Sequence, residues 1–299
     1  MPASSSAWPR ASRLSSDAAR PDLRRLAPIT PLAIVSWALV LVGIGLAIAG
    51  LSVLSAVLFL RRLSPPIVVP DATVTLVMAL TGPGGGLGQL LRALERQTLR
   101  PRRIVIAVES TDDPAFQAVH GAMPRSAMPV EVVVAGLAEQ AGQKCLNLAA
   151  ALDRLDASDE FVVFLDADIL PQDWWLSALI APLQRPGYGI VAGYRWPTIT
   201  RSTLGAHLIL ALDRGIAALP RPRWTQAVWG GSIAMRRETV DRLALAKHFR
   251  HRLLDDLTIG ELARQAGIPV FYRRVLRVPS PLSYGVSGAW HFGHRQYQL

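Results

Sequence analysis

The chain has 299 residues, of which 51% are hydrophobic and 18% charged, and its formal net charge is +10. This length is sufficient for one large domain or a domain with appendages, and the single cysteine, Cys145, excludes an internal disulfide and a zinc site built from several cysteines. Because no nucleic-acid-binding motif accompanies the basic charge, we expect a membrane surface and a phosphorylated substrate as partners, and no nucleic acid.

The N-terminal part of the sequence changes composition twice. Residues 1–30 are rich in Ser, Ala, Pro and Arg and predict a disordered basic tail. Residues 31–60 carry no charged side chain, and as one helix they would be about 45 Å long, whereas the apolar core of a bilayer is about 30 Å thick. We therefore expect a tilted transmembrane helix rather than a buried core helix or a cleaved signal peptide. Residues 61–72 then predict a linker, and residues 73–299 predict one further domain.

The charges that flank the apolar segment favour one orientation of it. Arg13, Arg20, Arg24 and Arg25 precede the segment, whereas Arg61 and Arg62 follow it. By the positive-inside rule, this distribution predicts a cytoplasmic N-terminus and an external main domain.

Strands and helices alternate regularly from residue 74 onward. Buried strands are predicted at 74–80, 103–110, 130–136, 160–168 and 189–196. Helices are predicted at 86–97, 114–123, 143–155, 173–183, 203–219 and 255–267, and a loop, a strand and a helix at 227–243. Short strands that alternate with helices predict an α/β fold with a mainly parallel sheet and helices on both of its faces.

A glycine-rich segment, TGPGGGLGQLL, follows the first predicted strand. Together with Glu109 at the end of the second strand, it resembles a dinucleotide-binding fingerprint in a variant spacing, which predicts an NAD(P)-dependent oxidoreductase. The glycines also fit a tight turn, or a helix that begins close to a bound phosphate. The dinucleotide interpretation leaves the later acidic pairs without a role.

Two aspartates, Asp166 and Asp168, end the apolar run FVVFLDADIL. Alternation along a strand places both on one side, at the carboxyl end where parallel sheets bind ligands. Two carboxylates there can hold a hard divalent cation, whose charge removes most of the cost of burying them. The alternatives are that one of them caps the next helix, or that Asp166 is a nucleophile, because the stretch also resembles the first motif of haloacid-dehalogenase-type phosphatases. That family has its motif on the first strand, whereas three predicted strands precede it here.

A second acidic pair, Asp255 and Asp256, opens a predicted helix. One of the two carboxylates suits the N-terminal cap and the positive end of the helix dipole. The other suits a general base that faces a cleft and takes a proton from an acceptor hydroxyl.

Five motifs in order resemble the family 2-type glycosyltransferases with a GT-A fold, and most of all their ceramide glucosyltransferase-like branch and its bacterial relatives. The matching stretches are VESTDDPA, GQKCLNL, FLDADI, VWGGSIAMRRE and DDLTIG, and the similarity spans residues 74–299. The closing signature of that family is only approximated by FGHRQY, in which Arg295 fits the arginine. The resemblance implies a Rossmann-like GT-A domain, a mainly parallel mixed sheet behind the N-terminal transmembrane helix.

The resemblance also implies roles for individual residues. It implies substrate binding by Asp113, Lys144, Asn147, Asp166, Trp229, Gly230, Gly231 and Arg295. Within this set, Lys144 would meet a diphosphate and Asn147 would support the adjoining loop. Asp168, with Asp166, would bind Mg²⁺ or Mn²⁺, and Asp256, or its neighbour Asp255, would be the catalytic base.

The activity implied is that of an inverting, metal-dependent hexosyltransferase. It would move a glucose-type sugar from a nucleotide sugar, UDP-linked, to a lipid hydroxyl in glycolipid biosynthesis. A processive polysaccharide synthase is the alternative within the same fold. The apolar stretch 203–219 and four tryptophans predict a shelf for the lipid, with ordinary core as the alternative: Trp174, Trp175, Trp224 and Trp229.

The implied activity leads to two further expectations, one about the side of the membrane on which the catalytic domain lies and one about the C-terminal end of the chain. Nucleotide sugars are cytosolic, so we expect a cytoplasmic catalytic domain at a bacterial-type inner membrane, against the charge count. A segment that enters the membrane and returns near Gly43 and Gly45 would reconcile the two. Because relatives continue into further membrane segments, we expect the C-terminal end to be truncated.

Overall fold

The computed structural model describes residues 31–61, 68–218 and 228–297. The chain divides into two units, Met1–Val57 and Leu58–Leu299. The helix α1 (Pro31–Arg61) begins in the first unit, of which its residues 31–57 are the described part. Within it, the apolar stretch Val35–Leu58 has the length and composition of a membrane span, and its side chains are exposed. The predicted basic tail, residues 1–30, lies outside the described residues.

The second unit contains a seven-stranded sheet and its surrounding helices. The strands are β1 (Val74–Ala79), β2 (Arg103–Val108), β3 (Val130–Val134), β4 (Phe161–Leu165), β5 (Ile190–Ile199), β6 (Ser232–Arg236) and β7 (Val270–Leu282). The helices are α2 (Leu87–Glu95), α3 (Pro114–Ala122), α4 (Gln143–Leu152), α5 (Trp175–Ile180), α6 (Leu204–Ala218), α7 (Arg237–Arg242), α8 (Leu245–Phe249), α9 (Asp255–Gln265) and α10 (Val286–Tyr297).

The order of the strands across the sheet is β3-β2-β1-β4-β6-β5-β7. β6 is antiparallel to both of its neighbours, β4 and β5, and every other pair is parallel. The sheet is therefore mixed and mostly parallel, which confirms the predicted α/β class. The carboxyl ends of β1, β2 and β4 meet at one edge, where such sheets bind ligands.

Both faces of the sheet are covered, as the continuous apolar runs of its central strands require. Successive residues of β1 point to opposite faces, so that Leu76 and Met78 join one core cluster and Val77 joins the other. Trp175 of α5 packs in the first cluster, and Phe249 of α8 packs in the second. Burial on both faces fixes the register of the central strands, because a slip by one residue would move every side chain to the wrong cluster.

Two elements near the C-terminus, β7 and α10, were not predicted from the sequence. β7 contains Pro279 and Pro281, which donate no hydrogen bond to a sheet, and such residues indicate a loop in a sequence pattern. In the structure β7 is an edge strand of the sheet, where a missing donor is tolerated. α10 contains Gly288 and Gly293, which weaken the helical pattern.

A buried ionic cluster lies at the amino ends of β1, β2 and β4, opposite to the carboxyl ends where such sheets bind ligands. Asp159 is fully buried just before β4 and accepts hydrogen bonds from Arg102 Nη1 at 2.9 Å, Arg103 Nη2 at 2.7 Å and the backbone amide of Asp156 at 2.7 Å. The hydroxyl of Thr75 also donates to it. Burial alone raises the pKa of Asp159, but these donors outweigh it and hold the pKa below its ordinary value.

We expect Asp159→Asn to lower the free energy of unfolding by about 2–4 kcal/mol, because it removes the shared acceptor of two arginines. The contribution of the carboxylate is complete above its ordinary pKa of about 4 and is lost as the pH falls through the lowered value. The difference between wild type and variant should therefore shrink in acid. Thermal unfolding followed by circular dichroism measures this, with the exposed Asp241→Asn as the control. Equal stability of Asp159→Asn and wild type at neutral pH would contradict the assignment.

Candidate active site

Three predicted site residues from separate segments meet at the carboxyl edge of the sheet. Asp166 directly follows β4, Lys144 lies in the first turn of α4, and Asp255 opens α9. The ammonium group of Lys144 lies 2.7 Å from Asp166 Oδ1 and 3.0 Å from Asp255 Oδ2. Residues far apart in the sequence thus form one charged cluster.

The charge state of this cluster follows from its contacts. Burial lowers the pKa of Lys144, but the carboxylates of Asp166 and Asp255 outweigh this effect and raise the pKa above its ordinary value. Lys144 therefore stays protonated at neutral pH. Asp255 is buried and is held as its counterion. Such an ammonium group can bind a phosphate oxygen without a change of protonation.

A pair of glycines lies against this cluster, in the loop before β6. A Cβ atom on Gly230 would lie 2.6 Å from Asp255 Oδ2 and 2.9 Å from Lys144 Nζ. A Cβ atom on Gly231 would lie 2.7 Å from Asp166 Oδ2 and 2.3 Å from the ring of Trp229. The backbone at both positions therefore approaches the charged side chains more closely than any other residue type would allow.

We expect Gly231→Ala to lower kcat/KM by about 10–100-fold, because the added methyl group displaces Asp166 or Trp229 and small misplacements are costly in an active site. The structure offers a matched control in Gly121→Ala, since a Cβ atom at Gly121 meets nothing within 4 Å. Steady-state kinetics of both variants, with circular dichroism to verify folding, measures the effect. Unchanged activity of Gly231→Ala would show that this close approach has no catalytic importance.

Asp168 lies in the turn that follows β4, as does Asp166. The sequence interpretation placed both on the strand, but β4 ends at Leu165, so strand alternation does not orient them. The Asp168 side chain is exposed, yet partial desolvation by the surrounding protein and the charge of Asp166 raise its pKa. No cluster of three or more potential metal ligands from His, Cys, Asp and Glu occurs in the described ranges. The two carboxylates still fit a hard cation that takes its remaining ligands from water or a diphosphate, because their oxygens are the donors it prefers.

The two acids that open α9 occupy different environments. Asp255 is buried against Lys144, whereas Asp256 is half-buried and accepts a hydrogen bond from the backbone amide of Leu257 at 2.7 Å. Partial burial and the neighbouring charge of Asp255 raise the pKa of Asp256. Asp255 is already engaged by the ammonium group of Lys144, so Asp256 is the more available proton acceptor of the two.

Asp113 and Asn147 mainly contact the protein itself. Asp113 caps α3, and its Oδ1 accepts hydrogen bonds from the backbone amides of Ala115 at 2.8 Å and Gly82 at 2.9 Å. It thereby joins α3 to the glycine-rich loop. Asn147 is fully buried; its amide donates to the carbonyl of Ala107 at 3.3 Å and accepts from Gln143 at 2.8 Å. Asn147 thus fixes the first turn of α4, which carries the cluster lysine.

The remaining predicted residues do not all lie at the site. Trp229 packs beside the cluster, and its ring centroid lies 6.1 Å from that of Tyr194. Trp175 is a core residue, fully buried, whose indole donates to Ser232 Oγ at 2.9 Å. The side chain of Arg295 and all of Trp224 lie outside the described part of the chain.

One cation near the acidic turn was missed in the sequence. Arg195 Nη2 of β5 lies 2.6 Å from Oδ2 of the buried Asp213 of α6, and its guanidinium lies 4.5 Å from the ring centroid of Phe292. The positive charge of Arg195 lowers the pKa of Asp168, opposing the effect of Asp166. One feature of the sequence could have drawn attention to this pair: Asp213 is the one acidic residue between Trp196 and Arg237.

Solved structures of other proteins align with this chain to different extents. A mannosyltransferase, PcManGT from Pyrobaculum calidifontis in complex with GDP-Man and Mn²⁺, aligns with TM-score 0.53 and 19% identity over 86% of this chain and 71% of its own. A mycobacterial protein aligns with TM-score 0.42 and 14% identity over 72% and 66% of the two chains. The third is 4-diphosphocytidyl-2C-methyl-D-erythritolsynthase from Anaerococcus prevotii DSM 20548, with TM-score 0.45 and 11% identity over 67% and 87%. The first likeness supports the GT-A fold, and the other two scores are too low to carry an argument.

The sequence itself matches one family model. No curated protein sequence matches the chain significantly. The model of glycosyl transferase family 21 matches residues 35–275, which is well over half of the chain. The motifs suggested a family 2-type glycosyltransferase, and the family model corrects this assignment to family 21. The predicted resemblance to ceramide glucosyltransferases agrees with family 21. The chain therefore belongs to glycosyl transferase family 21 and is a hexosyltransferase with a GT-A fold.

Proposed function

We propose that the chain moves a glucose-type sugar from a UDP-linked nucleotide sugar to the hydroxyl group of a lipid, with inversion at the anomeric carbon. The observation that carries this proposal is the contact of Lys144 with both Asp166 and Asp255. This contact joins three of the five motifs on which the family resemblance rests. The NAD(P) alternative gives no role to these three residues, and the phosphatase alternative gives none to Lys144.

The donor would bind at the carboxyl edge of the sheet. Asp113 and Asp166 would contact the nucleoside, and the fixed positive charge of Lys144 would lie against the diphosphate. Asn147 would act indirectly, because it is buried and fixes the turn that carries Lys144. As the bond from the sugar to the phosphate breaks, negative charge grows on the diphosphate, and a cation placed there in advance lowers the barrier.

Asp166 and Asp168 would together hold a divalent cation, Mg²⁺ or Mn²⁺. Such an ion, when bound, supplies positive charge to the diphosphate as the latter departs. Asp168 is the more available ligand, since Asp166 is already engaged by Lys144. Lys144 and the carboxylate pair thus act on the same leaving group from different segments of the chain.

Asp256 would be the general base. The acceptor oxygen forms a bond to the anomeric carbon while the bond from that carbon to the diphosphate breaks, and the hydroxyl proton passes to the Asp256 carboxylate. The products are the glycosylated acceptor and the nucleoside diphosphate. Asp255 would keep Lys144 in place, and Gly230 and Gly231 would let the backbone lie close against the charged side chains of the cluster.

The membrane is the proposed location. The composition of α1 suits a membrane anchor, and a cytoplasmic catalytic domain would give access to nucleotide sugars. Reporter fusions at both ends of the chain test this orientation, and an external catalytic domain would contradict it.

A thermal-shift screen of the full chain in detergent tests the donor. UDP-, GDP- and dTDP-sugars and NAD(P) are each added with and without Mn²⁺, because a ligand of the native state raises its apparent stability. We expect UDP-glucose with Mn²⁺ to give the largest shift, and radiolabelled sugar to appear in an extracted lipid. A larger shift with NAD(P) would overturn the proposal. Polymeric product in place of a single transferred sugar would favour the processive alternative.

A further inference from the structure

The helix α6 exposes its apolar side chains and buries its acid. Leu204, Leu208 and Leu212 are 66%, 55% and 43% exposed. Asp213 of the same helix is buried against Arg195. A surface helix of a protein in water normally has the reverse arrangement, with its apolar stripe inward and its charges outward.

The exposed leucines form one continuous stripe. At 3.6 residues per turn, Leu204, Leu208 and Leu212 lie within an arc of about 80°, and Ala211 and Gly215 fall on the same side. The opposite side, with Ala206 and Ile209, packs against Leu282 and Phe292. The helix therefore has two apolar sides, and only one of them is satisfied within the described chain.

The partner helix α10 extends this surface. α10 packs on α6 through Phe292 and Ala289. Its Trp290 is 73% exposed, and Val286 and the adjoining Tyr284 are also exposed. We call these exposed apolar and aromatic residues on and beside the two helices the α6–α10 face: Leu204, Leu208, Leu212, Tyr284, Val286 and Trp290. Exposed aromatic side chains on the same unit as a leucine stripe are typical of surfaces at the membrane interface.

The charge of the surrounding sequence indicates what kind of partner this face binds. Residues 195–237 contain seven arginines and one acid, the buried Asp213, and residues 262–299 contain five arginines and no acid. Arg201, which precedes α6, and Arg214, which lies on α6, are both exposed. An apolar stripe flanked by arginine and free of exposed acid is complementary to an anionic lipid surface. A second copy of the same basic surface would instead add electrostatic repulsion.

The chain length limits the distance to a membrane. Twelve residues separate Arg61, which ends α1, from Val74, which begins β1. At a rise of up to about 3.6 Å per residue, this segment spans at most about 47 Å from Arg61 to Val74. If α1 spans a bilayer, the catalytic domain is held at high effective concentration near that bilayer, and a weakly binding face becomes occupied.

We propose that the α6–α10 face lies on an anionic membrane surface, with its leucines and Trp290 inserted among the lipids, and that it delivers a lipid acceptor to the cluster around Lys144. This inference rests on the proposed membrane location and lipid acceptor. The face is joined to the strand that borders the site: Asp213 of α6 pairs with Arg195 of β5 at 2.6 Å. The preceding residue of β5, Tyr194, has its ring centroid 6.1 Å from that of Trp229, which packs beside the cluster.

Fluorescent labelling of single introduced cysteines tests the contact with lipid. The full chain is labelled at Leu208→Cys or Trp290→Cys, with Leu137→Cys as the control. Leu137 is an equally apolar, 70% exposed position that follows β3, at the other edge of the sheet. The native Cys145 is fully buried and does not compete for the label under native conditions. The labelled proteins are inserted into vesicles of phosphatidylcholine, with or without phosphatidylglycerol, that contain spin-labelled quencher lipids.

We expect at least about twofold stronger quenching at positions 208 and 290 than at 137, and more quenching with phosphatidylglycerol than without it. Equal quenching at all three positions would overturn the proposal. A probe at position 208 that becomes shielded in detergent as the protein concentration rises would also overturn it, since it would place a second copy on the face.

A triple variant, L204Q/L208Q/L212Q, separates this inference from the proposed function. We expect it to retain the thermal shift with a nucleotide sugar and to lose about tenfold in transfer to a lipid within vesicles, whereas Leu137→Gln loses nothing. Unchanged transfer by the triple variant would contradict the role of the face. If no nucleotide sugar shifts even the wild type, the proposed function fails, and the quenching experiment still decides whether the face contacts lipid.

Discussion

Replacing Asp256 by Asn is expected to lower kcat by about 10²–10⁴-fold and to leave nucleotide-sugar binding nearly unchanged. The reason is that Asp256 is the half-buried carboxylate of the pair without an ammonium partner among the described residues. An amide of the same shape keeps the local packing but accepts no proton. Steady-state transfer assays give kcat, and thermal shifts with the donor report binding separately.

The pH dependence of the reaction provides a second measure of the same residue. Partial burial and the charge of Asp255 raise the pKa of Asp256. A general base must be ionised, so kcat falls as the pH decreases through the raised pKa, and this acid limb lies above the ordinary aspartate value of about 3.9. We expect the limb to disappear from the residual activity of Asp256→Asn. A limb of unchanged position in the variant would assign the titration to another group.

The neighbouring acid is the matched comparison, because Asp255→Asn changes the same atoms one residue earlier. Its loss removes one of the two counterions of Lys144. We therefore expect weaker donor binding and a lower melting temperature for Asp255→Asn, neither of which Asp256→Asn should show. If Asp255→Asn binds donor normally and loses only kcat, the roles of the two residues are reversed.

The fold was largely predictable because its central strands are buried on both faces. Runs such as VTLVMA in β1 and FVVFL in β4 favour buried strands because they are short and rich in β-branched or aromatic residues, and the helices between them have clear apolar periodicity. β7 shows where this reasoning ends. Its sequence, VFYRRVLRVPSPL, contains arginines and prolines, which are tolerated in a strand at the edge of a sheet. Whether a strand lies at the edge depends on the order of all the strands, which no local pattern in the sequence shows.

The candidate site was predictable as a set of residues and not as a geometry. The acids after β4 and at the start of α9 stand out in the sequence because apolar or helical patterns surround them. The bridge from Lys144 to Asp166 and Asp255 depends on how α4 and α9 pack, which no local pattern encodes. The pair of Arg195 and Asp213 was missed for the same reason: an aspartate in an apolar helix gives no indication of which cation it meets.

Asp168→Asn is expected to lower kcat/KM by at least about 10³-fold, or about 4 kcal/mol of transition-state stabilisation, since a divalent cation typically contributes several kcal/mol of charge stabilisation. The expected cause is loss of the metal and not loss of the fold. Asp168 is exposed, and the contacts that join Lys144 to Asp166 and Asp255 do not include it. The variant should therefore fold normally and keep the metal-independent part of its affinity for UDP.

A binding measurement separates this explanation from a general loss of activity. In the wild type we expect Mn²⁺ to increase the thermal shift produced by UDP, and in Asp168→Asn we expect UDP to act equally with and without Mn²⁺. Asp173→Asn is the control, because Asp173 is an exposed acid in the same loop whose partner is Arg96 at 3.5 Å. If Mn²⁺ enhances UDP binding to the same extent in Asp168→Asn as in the wild type, the cation is held elsewhere, and the leaving group must be stabilised by Lys144 and other groups of the protein.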